Sequence, residues 1–79
     1  MAEPIEELDV VALLRDLPEE GLERGDAGTV VLTHGKSEAF EVEFIQRYAQ
    51  PNRSIVATIR QDDLLKLRGF KRLQESSAP

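Results

Sequence analysis

Strict alternation runs through the middle of the chain. In "EAFEVEF", residues 38–44, Phe40, Val42 and Phe44 are separated by Glu41 and Glu43. A period of two puts the large side chains on one face and the carboxylates on the other, which predicts a half-buried strand. "GTVVLTH", residues 28–34, is rich in β-branched residues and predicts another strand. Val30 and Leu32 fall on one of its faces, and Thr29, Val31 and Thr33 on the other. The link "HGKSE" is short and contains a glycine, as a hairpin requires. "SIVATIR", residues 54–60, predicts a third strand with Ile55, Ala57 and Ile59 facing together. "YAQPNRS" before it reads as a turn with Pro51 and Asn52 at its centre.

The flanks are less regular. "LDVVALL", residues 8–14, is apolar without a clear period, so it fits a strand or part of a short helix. Ile5, Leu8 and Ala12 suit a helix face, with Pro4 near its start. Pro18 and Gly21 punctuate "DLPEEGLERGDAG", which predicts a loop without regular structure. In "QDDLLKL", Asp62 or Asp63 is placed to cap a single helical or 3-10 turn, and Leu65 and Leu67 predict a last short strand. The terminal "QESSAP" is polar and predicted to fray. Short strands at this spacing leave no room for crossover helices. They predict an all-β barrel, whose closure would hide its strand edges.

"DVVALLRDLPEEGLERGDAGTVV", "FEVEF" and "ATIRQDDLLKL" together resemble the bacterial family known as domain of unknown function 4926, over roughly residues 8–67. That family resembles SH3-like barrels. The resemblance implies that residues 8–14 are strand, and that Gly25, Gly28 and the strand after them form a barrel corner. It carries over no catalytic residue, because the family has no established activity. "RGFKRLQESSAP" extends past the usual end of the pattern. The expected architecture is a small SH3-like five-stranded barrel, all-β, with one 3-10 or helical turn before the last strand. An acidic arm (1–7) precedes the barrel (8–68), and a basic, then polar, tail (69–79) follows it. The expected core is Val11, Leu13, Val30, Leu32, Phe40, Val42, Phe44, Ile55 and Ile59, with Gly21, Gly25 and Gly28 making turns.

Composition narrows the choice of function. The chain has 79 residues, no cysteine and one histidine, so neither disulfides nor a metal cluster can staple it. A chain this small buries only about 60% of its unfolded surface, so aliphatic packing or a partner must hold it. The longest apolar run, "VVALL", is far short of the roughly 20 residues of a membrane helix. "MAEPIEELD" lacks the basic and apolar regions of a signal peptide, so a cytoplasmic protein without membrane contact is expected. Charge is uneven. Residues 1–26 hold nine acids and two bases, 27–50 three and two, and 51–79 three and six; the nets of −7, −1 and +3 sum to −5. That balance disfavours a protein whose affinity comes from neutralising phosphates.

Each short motif has an ordinary reading that outweighs the functional one. Arg24-Gly25-Asp26 matches an adhesion tripeptide but lies where a glycine turn is needed. Gly35-Lys36-Ser37 ends like a phosphate-binding loop, but position 30 is Val30 instead of glycine and a strand follows instead of a helix. Glu41 and Glu43 sit about 6.6–7 Å apart along a strand, a spacing known from paired carboxylate catalysts. A solvated face paired with cations such as Arg60 explains them as well. His34 has no companion ligands, and Ser37 and Ser54 have no evident base, so no metal, cofactor or catalytic site is expected. Asn52-Arg53-Ser54 is a glycosylation sequon without meaning in a cytosolic chain. The tail "KLRGFKRL" interleaves Lys66, Arg68, Lys71 and Arg72 with Leu67, Phe70 and Leu73. Packing within the chain or on a partner is favoured over nucleic acid, since Tyr48 is the only tyrosine and tryptophan is absent.

The expected function is a non-catalytic protein-interaction module that self-associates or serves a neighbouring gene product. SH3-like barrels bind through loops and the groove between them. Contacts are therefore expected at Leu17, Glu19, Glu20, Leu22, Tyr48 and Arg53, on an acidic, proline-punctuated loop and its neighbours. Two alternatives stay open. One is an immunity-type acidic partner using Glu6, Glu7 and Asp9, and the other is a weak nucleic-acid binder using the basic tail.

Overall fold

The structure, a computed structural model, describes residues 4–36, 38–46 and 51–68. Five strands follow in order: β1 (Val10–Leu13), β2 (Ala27–His34), β3 (Ala39–Gln46), β4 (Arg53–Arg60) and β5 (Leu64–Lys66). Two 3-10 turns, Pro18–Glu20 and Gln61–Asp63, lie before β2 and β5. All pairings are antiparallel, and the sheet runs β4-β3-β2-β1-β5. The all-β class, the five strands and the turn before the last strand match the expectation. Closure does not. β4 and β5 are the two ends of one open sheet, so it is not a closed barrel.

Among the described residues there is no second layer, and the sheet buries one of its faces. Val11 and Leu13 of β1, Val30 of β2, Phe40, Val42 and Phe44 of β3, Ala57 and Ile59 of β4, and Leu64 of β5 form one cluster. Ile55 packs against it, partly buried. Three leucine or isoleucine side chains from outside the strands complete it: Ile5 of the arm and Leu17 and Leu22 of the loop after β1. The predicted loop is therefore ordered. Leu17 and Leu22 bridge to each other by backbone hydrogen bonds in both directions, at 2.9 and 3.0 Å.

Three expectations about positions are corrected. Leu32 is 47% exposed, because the β2–β3 register shifts between Val30 and Leu32. Val30 pairs with buried Val42, but Leu32 pairs with Glu41 on the opposite face. A bulge of one residue moves every later side chain of the strand across the sheet. In β5 it is Leu64 that turns inward, opposite buried Leu13, while Leu65 is exposed. Neither Asp62 nor Asp63 caps the turn before β5, whose N-cap Arg60 makes no side-chain cap bond. Asp63 instead pairs with Arg15 at 2.9 Å and ties this turn to the end of β1.

The glycines divide by cause. Gly21 and Gly25 have φ of 74° and 93° and make turns, as expected. Gly28 does not. It lies buried inside β2, where a Cβ would sit 2.7 Å from the Glu43 carbonyl oxygen and 2.9 Å from Phe44 Cδ2. Its requirement is space for the neighbouring strand.

Candidate interaction surface

The outer face of the sheet carries more apolar surface than a solvated face needs. Leu32, Ile45 and Val56 are 47, 48 and 55% exposed, and Val31 at the bulge and Leu65 on β5 are comparably open. Between β1 and β3 this face dips into a shallow groove of about 150 Å³, lined by Val10, Ala27, Thr29, Glu43 and Ile45. Glu41 and Glu43 project from β3 into the same face. Each accepts a hydrogen bond from a β4 hydroxyl: Thr58 Oγ1 donates to Glu41 at 2.7 Å, and Ser54 Oγ donates to Glu43 at 2.6 Å. His34 Nε2 also donates to Glu41, at 2.7 Å. The Thr58 hydroxyl first, and then His34, hold the Glu41 carboxyl below its ordinary pKa. Arg60, expected to pair with these glutamates, lies opposite Ala39 and makes no ion pair with them.

The free edge beside this face is uncharged along its middle. The Gln61 N–H donates to the Glu38 carbonyl at 3.0 Å, and this fixes which residues of the β3–β4 ladder exchange hydrogen bonds. In an antiparallel ladder such pairs alternate. Arg53, Ile55, Ala57 and Ile59 thus turn their backbone groups toward β3, while Ser54, Val56, Thr58 and Arg60 turn theirs to the open edge. Among the described residues no strand pairs with that edge. The opposite edge, β5, is three residues long against eight for β4.

The expected contact residues separate into groups. Leu17 and Leu22 are 5% and 1% exposed, so their side chains belong to the core. Glu19 and Glu20 are exposed on the first 3-10 turn, and Arg53 is exposed at the start of β4. One link brings these three to the same end of the sheet. Arg53 pairs with Gln46, and the buried Gln46 side chain donates to the Gly21 carbonyl at 2.9 Å. Tyr48 lies outside the described residues, as do Ser37, Lys71, Arg72, Phe70 and Leu73.

The acidic front of the chain is not a single surface. Asp9 accepts from the Glu6 N–H and pairs with Lys66 at 3.2 Å. Asp16 accepts from the Arg24 N–H, and Asp26 from the Glu23 N–H. The Arg24-Gly25-Asp26 tripeptide is accordingly a local turn with its aspartate tied down. Glu6 and Glu7 precede β1, while Glu19, Glu20 and Glu23 follow it, so the exposed acids flank opposite ends of that strand.

The outer-face residues Ile45 and Val56, and the β4 edge, are absent from the contacts read from sequence. A signal for them exists: both residues are large and apolar at positions where the alternation calls for polar ones.

A family model described as Domain of unknown function (DUF4926) matches residues 7–66. The chain belongs to this family. In this DUF4926 chain the match takes in all five strands, the bulge and the Gly21–Gly28 segment. No curated protein and no solved structure matches the chain. Among the described residues of the DUF4926 chain, no helix is long and apolar enough to cross a membrane.

Proposed function

We propose that this chain is a small non-catalytic protein-interaction module that works through the β4 edge and the adjoining outer face. The observation that carries this reading is the β4 edge, with which no strand pairs among the described residues. Ser54 to Ile59 contain no charge, proline or glycine; they include exposed Val56 and border exposed Ile45. An apolar strand edge of this kind pairs with other chains unless something covers it. The state of Glu41 and Glu43 supports a non-catalytic reading. Both accept hydrogen bonds from neighbouring hydroxyls, and Glu41 is pushed toward the ionised form, opposite to the shift a general acid needs. The immunity-type reading has less support, since Asp9, one of its three acids, is already engaged by the Glu6 N–H and by Lys66.

Photo-crosslinking in expressing cells tests the surface. A benzoylphenylalanine at position 56 should give adducts of discrete mass, whereas the same group replacing exposed Glu23 should not. No adduct at position 56, or the same pattern at both sites, contradicts the reading.

A further inference from the structure

We infer that the occupant of the β4 edge is a second copy of this chain, paired antiparallel through β4 about a two-fold axis perpendicular to the sheet. This rests on the interaction-module reading and deepens it by naming the partner. Three observations point to the copy.

The first is hydrogen-bond matching. The edge offers the N–H and C=O groups of Ser54, Val56, Thr58 and Arg60. A two-fold arrangement pairs residues of the same face, and only one register uses all four residues of each copy. It sets Ser54 opposite Arg60 of the partner subunit and Val56 opposite Thr58 of the partner subunit. Either a shorter or a longer offset leaves some of these groups unmet.

The second is charge. In that register each Arg60 guanidinium reaches across Ser54 of the other copy toward the Glu43 carboxylate, which Ser54 already contacts at 2.6 Å. Glu43 pairs with Val56, four residues from Arg60, so within one chain their Cα atoms are offset by roughly 13 Å along the strand. Arg60 makes no ion pair among the described residues of its own chain. The two-fold axis places each Arg60 two strands from Glu43 of the other copy, about 12 Å between Cα atoms by strand spacing and rise, a span that two extended side chains of opposite charge can close.

The third is closure. An isologous β4–β4 contact consumes the long edge of both copies and leaves only the short β5 edges outside. The assembly therefore stops at two, where a head-to-tail contact would continue.

Sedimentation equilibrium of the full chain, from micromolar to millimolar concentration, tests the proposal. The wild type should follow a monomer–dimer equilibrium. Arg60→Glu should weaken the dimer on the order of tenfold, by replacing two attractive contacts with two repulsive ones. Adding Glu43→Arg to it should restore the dimer, which only an intermolecular contact explains. Val56→Pro, which removes an edge N–H, should give monomer with an unchanged circular dichroism spectrum. A wild type that stays monomeric at every concentration overturns the proposal, as does a charge swap that fails to rescue. Adducts at position 56 made only with other proteins also overturn it, yet leave the module reading standing. Absence of any adduct there removes both.

Discussion

Replacing Gly28 by alanine tests how closely β2 and β3 approach. A methyl group there would stand 2.7 Å from the Glu43 carbonyl oxygen, 2.8 Å from Val42 Cγ1 and 2.9 Å from Phe44 Cδ2. The two carbon contacts fall about 0.6–0.7 Å inside an ordinary separation of about 3.5 Å. The side chains can adjust by rotation, but the carbonyl belongs to the backbone of the adjacent strand. Relief requires the two strands to spread, so the cost belongs toward the upper part of the roughly 1–3 kcal/mol typical of overpacking. Against it stands the loss of unfolded-chain freedom when glycine becomes alanine, which stabilises by about 0.4–1 kcal/mol. The net is a destabilisation of about 2 kcal/mol. For a domain of this size that lowers Tm by about 8–16 °C. Thermal and urea unfolding followed by circular dichroism measure it, with the urea m-value unchanged. Because the two effects oppose each other, the sign decides. A Tm that is unchanged or raised would mean that the methyl is accommodated and that the close approach is not a constraint.

The loop after β1 is expected to behave as core. Leu22→Ala should cost about 3 kcal/mol, since Leu22 is fully buried although it lies outside any strand, while Leu65→Ala should fall within about 0.5 kcal/mol. Equal urea midpoints for the two variants would refute the loop packing. Gln46→Leu removes the donor to the Gly21 carbonyl and should cost about 1 kcal/mol, with faster proteolytic cleavage between residues 14 and 26; unchanged cleavage would show that this bond does not hold the loop. Glu41 is more acidic folded than unfolded, so its contribution is complete above the ordinary carboxylate pKa and is lost as pH falls through the depressed folded value. Glu41→Gln should therefore flatten the fall in urea midpoint between about pH 5 and pH 3. Parallel curves for wild type and variant would show that the Thr58 and His34 contacts do not act on folding.

Much of the fold was legible because alternation is a local signal. Phe40, Val42 and Phe44 are buried where the period of two puts them, and the β-branched runs became β2 and β4. β1 has no such period, and there the family resemblance, not the residues alone, favoured strand. The failures are non-local. The bulge that turns Leu32 outward depends on how β2 is paired with β3, and nothing in "GTVVLTH" announces it. Leu17 and Leu22 sit among Pro, Gly and Glu, so a loop reading follows from composition. Their burial follows from an open sheet whose core needs covering from outside the strands. Leu17 and Leu22 read as surface residues for the same reason, because a leucine in a polar loop resembles a binding residue until the core beneath it is known. The apolar outer face was legible in principle, at Ile45 and Val56, as breaks in the alternation. The free edge was not, since an edge is a property of strand order.

Amide exchange at the β4 edge tests the central claim most directly. At low concentration the amides of Ser54, Val56, Thr58 and Arg60 should exchange fast, and those of Ile55, Ala57 and Ile59 slowly. At high concentration all seven should be slow, because a second chain then occupies the edge. Fast exchange at the four edge amides at every concentration would contradict self-pairing. Slow exchange there in the dilute chain would contradict the open edge itself.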